Sequence, residues 1–289
     1  MSVEEGMLTL ANSGIKLAYK VISSSATTSL PVVMLSNSLS SSYDYIWNEF
    51  IKHFEDKYTI VLYDQRFHGK SPLADGFDYF GKGNSYADFT DDVIALIDHL
   101  QIARLHAFVG LSMGATTSIC LKAKYPTRVG KVVAVSSALK SAPPPGPGQV
   151  DAFGERLEFA RSNGMAALAP KTIERWFPGD EGQEFLKAHP SRAAELLEML
   201  NKAPVEGLGA AIRAIQDFDL TASLEDIKTR GQGGEVLLVA GSLDGPVPKA
   251  NQVMQIVGGT KLEIYDGTGH LVNIQQSAEF NQLVEKFIA

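Results

Sequence analysis

The chain has 289 residues, 45% of them hydrophobic and 20% charged, enough to bury about three quarters of its unfolded surface without cross-links; disordered, collagenous and coiled-coil chains are excluded. Lys and Arg number 26 against 33 Asp and Glu, a net charge of -7, which argues against a nucleic-acid partner, since displacing counterions needs a basic surface. Cys120 is the single cysteine, so no internal disulfide and no cysteine metal cluster is expected.

Short runs of β-branched and aromatic residues alternate with helical patterns along the chain. Leu8–Leu10 and Lys16–Ile22 read as two strands joined by Asn12-Ser13-Gly14, an antiparallel hairpin at one edge of a sheet. Val32–Leu35 and Thr59–Tyr63 follow as apolar strands. Tyr86–Leu100 carries Phe89, Val93, Leu96, Ile97 and Leu100 on one stripe, and Ser85 with Asp88 supplies an N-cap. Strand Leu105–Val109 leads into helix Met113–Tyr125, which Pro126 ends, and strand Val132–Val135 follows. From 139 to 234 the alternation stops. A Pro/Gly run at 143–148 is followed by five helical patterns: Phe153–Asn163, Gly164–Trp176, Glu181–Lys187, Arg192–Asn201 and Val205–Asp217. Strands Val236–Val239 and Leu262–Tyr265 then resume, and Asn273–Ile288 reads as a closing helix. Strands that are apolar throughout belong in a parallel sheet covered on both faces. The expectation is an α/β, mostly parallel, doubly wound sheet with an antiparallel N-terminal edge. Its core is 1–138 and 235–289, and 139–234 form a helical cap inserted between strands six and seven. Neither a secretory signal nor an apolar run of the ~18 residues needed for a spanning helix is present, so a cytoplasmic setting without a membrane partner is expected.

Gly110-Leu111-Ser112-Met113-Gly114 joins the fifth strand to its helix. In this G-x-S-x-G elbow the glycines let backbones approach closely, and Ser112 stands at a helix N-terminus that favours developing negative charge. A serine hydroxyl needs a base, and the base needs a carboxylate to fix its tautomer. In chain order the acid and base should follow the serine, each just beyond a strand. Asp244 follows Val236–Val239, and His270 follows Leu262–Tyr265. His53, His99, His106 and His189 fall within helices, strands or the cap and read as structural. Asp266 reads as a turn residue. An oxyanion formed on attack needs two donors. One is the Met113 N–H, and the other is assigned to the Ser38 N–H in the loop Ser36–Ser40. Asp64–Ser71 reads as a loop bracing the site, and Cys120 as an inert core residue.

These residues resemble the α/β-hydrolase superfamily over essentially the whole chain. Within it, Leu35-Ser36-Asn37-Ser38-Leu39 and the cap segments 163–169, 174–177 and 211–220 are similar to those of the 3-oxoadipate enol-lactonases. Ser40 and Phe67 stand where that family has glycine, 143–148 is an elaboration, and Gly245-Pro246-Val247-Pro248 is a variant of its post-acid turn. The resemblance implies hydrolysis of a small lactone, 3-oxoadipate enol-lactone or a close relative, in aromatic catabolism and without metal or organic cofactor. It implies an anionic small-molecule substrate, for which Arg175 and Arg213 on the cap are candidate partners, with Trp176 as an apolar wall. Hydrolysis of another ester, lactone or carbon–carbon bond by the same triad, a haloperoxidase-like side activity, and a non-enzymatic ligand-binding member of the fold are the alternatives.

Overall fold

The computed structural model describes residues 1–24, 30–142 and 151–289. Eight strands form one sheet: β1 (Ser2–Thr9), β2 (Lys16–Ser23), β3 (Val32–Ser36), β4 (Thr59–Tyr63), β5 (Leu105–Leu111), β6 (Val129–Val135), β7 (Val236–Gly241) and β8 (Lys261–Tyr265). Their order is β1-β2-β4-β3-β5-β6-β7-β8. β1 pairs antiparallel with β2 and β2 with β4, and every later pairing is parallel. This is the expected doubly wound sheet with an antiparallel edge. β1 is longer than its apolar residues indicate, because its exposed edge gives no alternation to read.

Successive strand residues point to opposite faces, and the core divides accordingly. Val33, Leu35, Ile60, Leu62, Val109 and Val133 pack on one side with Phe50 and Phe54 of α2 (Asn48–Phe54) and Phe280, Val284 and Phe287 of the C-terminal helix. Met34, Val61, Phe108, Val132 and Leu238 pack on the other with α3 (Tyr86–His99) and α4 (Met113–Lys124). α3 starts at a full capping box, with the Asp88 amide donating to Ser85 Oγ and the Ser85 amide to the Asp88 carboxylate. The closing helical pattern is two helices, α12 (Val272–Gln275) and α13 (Ser277–Ile288), because Gln276 leaves helical geometry at φ -125°, ψ 45°. Two short helices were not anticipated near the third strand, α1 (Tyr43–Ile46) and α2.

Between β6 and β7 run α5 (Ala152–Asn163), α6 (Met165–Trp176), α7 (Gly179–Ala188), α8 (Pro190–Lys202), α9 (Val205–Gln216) and α10 (Thr221–Thr229). The Pro/Gly run at 143–148 lies outside the described residues. α10 sits apart from the other five: its Leu224 and Ile227 pack in the sheet-side core with α4 residues and with Met254 of α11 (Val247–Gly258). α5, α6 and α9 instead share a cluster with Leu39 and Met113, directly over the carboxyl ends of β3 and β5.

Ser40 (φ 58°) and Phe67 (φ 68°) both have left-handed backbone, which accounts for glycine at these positions in the resembled family. Among the described residues Ser40 Oγ is also buried without a partner. Ser40→Gly relieves both penalties against the extra entropy of an unfolded glycine, so stability is expected to rise by about 1 kcal/mol. A higher urea midpoint at unchanged slope would record it.

Candidate active site

Strand β5 and helix α4 meet at Ser112, whose φ of 56° and ψ of -107° lie in a region that L-residues rarely adopt. Two glycines make the turn possible. A Cβ on Gly110 would stand 2.2 Å from the Gly114 carbonyl oxygen, and one on Gly114 would stand 2.5 Å from the Ser36 carbonyl oxygen. The Ser112 amide donates to the Val135 carbonyl (2.7 Å), which fixes the elbow to β6. Strain of this kind typically costs ~1–3 kcal/mol and persists only where the surroundings over-determine it.

Asp244 and His270 come together beyond β7 and β8. His270 Nδ1 and Asp244 Oδ2 are 2.8 Å apart, and both side chains are less than a tenth exposed. With the carboxylate charged, Nδ1 carries the hydrogen and Nε2 is left to accept a proton. Burial alone would raise the Asp244 carboxyl. The His270 imidazole beside it, Arg175 and the Ser136 hydroxyl hold it below its ordinary value. The Ser136 hydroxyl also donates to the His270 carbonyl (2.8 Å). Ser112 and His270 are therefore each bonded to one of two consecutive residues, Val135 and Ser136, at the tip of β6. Among the described residues no hydrogen bond links Ser112 Oγ to the imidazole, a contact that often tightens only with substrate bound. Asp266 bonds Ser242, as a turn residue would. His53, His99, His106 and His189 are bonded to Glu285, Tyr19, the Ile288 carbonyl and the Phe185 carbonyl.

The Ser38 and Met113 residues are both about 1% exposed, and among the described residues neither amide donates elsewhere. The segment before Ser38 is held from several directions. The Asn37 carbonyl accepts from the Gly114 amide (3.0 Å) and Gln65 Nε2 (2.8 Å). Asn37 Nδ2 donates to Asp64 Oδ1 (2.9 Å), and Trp47 Nε1 donates to Asn37 Oδ1 (2.9 Å). Asp64 also accepts from Ser42 Oγ and from the Tyr43 and Lys70 amides. Burial pushes its carboxyl up to about 7, against the pull of those donors. In the same loop, burial pushes His68 down to about 4, so it is neutral. The 64–71 loop thus braces the backbone that carries Ser38. Cys120 is pushed up to about 12 by burial and is no nucleophile.

The cap reaches this centre through Trp176. The His270 amide donates to the Trp176 carbonyl (2.9 Å), and the indole lies nearly parallel to the imidazole, at 6.4 Å and 15°. Arg175 is an exposed residue whose guanidinium nevertheless feels Arg156 and Asp244. Burial first, and then the neighbouring Arg156, push it down to about 10. Arg213 is turned elsewhere. It is exposed, and its Nε and Nη2 both donate to the Phe80 carbonyl, so it ties α9 to the loop before α3. Arg156, which sequence pattern did not single out, is near Arg175 instead. A groove of about 740 Å³ on the cap, between Pro170 and Leu197, includes none of Ser112, Asp244 and His270. No described helix is long and apolar enough to cross a membrane.

Residues 31–277 match the family model of the alpha/beta hydrolase fold. The chain is 30% identical over 261 residues to 3-oxoadipate enol-lactonase 2 of Acinetobacter baylyi, covering 88% of this chain and 87% of that one. Among solved structures it resembles the enol-lactonase from Burkholderia xenovorans LB400, with a TM-score of 0.82 and 24% identity over 98% of this chain and 99% of that one. It also resembles a thermophilic esterase from Thermogutta terrifontis, with a TM-score of 0.80 and 21% identity over 99% of this chain and 98% of that one. Sheet order, elbow and the match over most of its length place the chain in the alpha/beta hydrolase fold family, with similarity inside that family to the 3-oxoadipate enol-lactonases.

Proposed function

We propose that this hydrolase opens a small lactone by acyl transfer through Ser112, His270 and Asp244, with 3-oxoadipate enol-lactone or a close relative as substrate. The observation that carries the reading is the 2.8 Å bond between His270 and Asp244 beyond β7 and β8, in a sheet whose β5, two places from β7, ends at the strained Ser112. Ser112 Oγ adds to the lactone carbonyl while Nε2 of His270 takes its proton. Asp244 stabilises the imidazolium. The amides of Ser38 and Met113 receive the oxyanion, each such donor being typically worth ~3 kcal/mol. On collapse the ring C–O bond breaks, and the departing oxygen takes the proton from His270. The product is an acyl-enzyme that still carries the former leaving group, which as an enol becomes a ketone. Water then adds to the ester, with its proton passing to His270. The Ser112–acyl bond breaks, and Oγ regains a proton as the acid leaves. No step requires a group beyond the chain and water. Arg175 on α6 supplies positive charge for an anionic substrate, and the buried Trp176 that follows it forms the apolar side.

A serine-directed fluorophosphonate should label the wild type and leave Ser112→Ala unlabelled. In kcat/KM, the enol-lactone should exceed uncharged short-chain esters by at least ~100-fold, the scale of a few kcal/mol of differential transition-state binding. Equal values across such a panel would instead favour a general esterase, and failure of labelling with the protein folded would remove the nucleophile assignment.

A further inference from the structure

Two consecutive residues at the end of β6 touch the carriers of all three assigned catalytic groups. The Val135 carbonyl accepts from the Ser112 amide (2.7 Å). The Ser136 amide donates to the Val239 carbonyl (2.8 Å) on β7, the strand that leads to Asp244. The Ser136 hydroxyl donates to the His270 carbonyl (2.8 Å). β6 lies between β5 and β7 in the sheet, so its end stands between the nucleophile and the acid. The hydroxyl is carried at a cost. Ser136 is 3% exposed and has left-handed backbone at φ 57°, where a Cβ is penalised and glycine is not. Glycine at 136 would keep an amide to donate to Val239 and would shed the strain, and the side-chain bond alone would be lost. The His270 carbonyl depends on that bond, because among the described residues no backbone amide donates to it. The His270 amide is bonded to the Trp176 carbonyl (2.9 Å). The peptide groups on either side of the imidazole are thus anchored to different elements, α6 and the end of β6. Strain that persists in a buried residue at such a point is a pointer to the side chain it carries.

We propose that Ser136 is a positioning residue for the reaction: its hydroxyl fixes the main chain of His270 to the end of β6, at the point that also fixes the Ser112 elbow, so that base and nucleophile are held to one frame. This rests on the hydrolase reading above and assigns a residue that the sequence motifs do not mark. Ser136 moves no proton in the chemistry and acts through His270. The expected effect is large for one bond, because a reacting group misplaced by about 1 Å can cost about 100-fold in rate.

Two measurements test the assignment. The first is kcat and KM for p-nitrophenyl acetate, with Ser112→Ala as the blank. Ser136→Ala removes the hydroxyl and keeps the Cβ. Its kcat should fall by about 10- to 100-fold, with KM changed by no more than about twofold, as for an interaction that matters to the transition state and not to binding. Ser136→Gly should lose as much activity and show a higher urea midpoint than Ser136→Ala, because it also relieves the strained backbone. Ser118→Ala removes another buried hydroxyl, bonded to the Ala115 carbonyl further along α4, and should leave kcat as it is. The second measurement is the downfield proton NMR resonance of the hydrogen that His270 Nδ1 shares with Asp244, which needs no turnover and is identified by its loss in Asp244→Asn. It should shift or broaden in both Ser136 variants and stay in place in Ser118→Ala. The proposal requires both results, so a wild-type kcat or an unmoved resonance in the folded Ser136 variants would overturn it. A fall in kcat shared by Ser118→Ala, or a rise in KM at unchanged kcat, would overturn it too. Turnover that persists in Ser112→Ala would strike the hydrolase reading instead, and the resonance would then decide by itself whether Ser136 seats the histidine.

Discussion

Ser112→Gly is expected to abolish hydrolysis and at the same time make the protein more stable. The loss follows from removing Oγ. Where a serine acts with a histidine and an acid, deleting it typically lowers kcat by ~10⁴–10⁶, leaving only what the oxyanion donors and binding contribute. The gain follows from the backbone. Ser112 sits at φ 56° and ψ -107°, where a Cβ is penalised by ~1–3 kcal/mol and glycine is not. Subtracting the extra freedom of glycine in the unfolded chain leaves a net gain of about 1 kcal/mol. Ser112→Ala separates the two effects, because it removes the hydroxyl and keeps the Cβ. It should be as inactive as the glycine variant with no comparable rise in midpoint. Turnover of enol-lactone or ester near the wild-type rate in either variant would end the nucleophile assignment. Equal midpoints in the two would show that the strain is not localised at this residue.

Asp244→Asn should keep the fold and lower kcat by about 10⁴ at neutral pH. The carboxylate accepts the hydrogen on Nδ1 at 2.8 Å, which leaves Nε2 able to take a proton. A carboxamide can turn its NH₂ towards Nδ1. The imidazole then carries its hydrogen on Nε2, the face that must accept. The same substitution alters the acid limb of stability. The Asp244 carboxyl is held below its ordinary value of 3.8 in the folded protein, so its contribution is complete above about pH 3.8 and is lost as the pH falls below that through the folded value. The variant should lack this part of the acid-induced loss. Urea midpoints between pH 3 and pH 6, beside kcat at pH 7, would check both statements. A tenfold loss or less at pH 7 would mean that another group orients His270.

The pieces of this site that follow a rigid local rule were legible from residue order. Gly110, Ser112 and Gly114 can be read as a turn because their spacing answers a steric need, and the structure places a carbonyl within 2.5 Å of each missing Cβ. Ser85 and Asp88 form a local box that needs no tertiary partner. Asp244 and His270 were found by their place after apolar strands, because parallel sheets gather their strand ends on one edge. What was not legible depends on what a side chain faces. Arg156, Arg175 and Arg213 are equivalent as cationic positions on amphipathic helices, yet Arg213 is bound to the Phe80 carbonyl, Arg156 is half-buried and Arg175 acts on the Asp244 carboxylate. Leu224 and Ile227 give α10 an apolar stripe, but the stripe does not reveal that it covers the sheet and not the site. α1 and α2 follow a serine-rich stretch and are too short to establish a period.

The bond from the His270 amide to the Trp176 carbonyl has an evolutionary corollary. Gly269 packs against the same carbonyl and against Pro178, so close that a Cβ there would stand 2.3 Å and 2.4 Å from them, and Gly267 lies beside Glu181. The corner between α6 and α7 is therefore moulded to one particular histidine loop. A recombination that exchanges lids between paralogues would have to carry 267–270 together with 176–181, or the general base would lose its seat. The joint and its loop would then drift as a single heritable block.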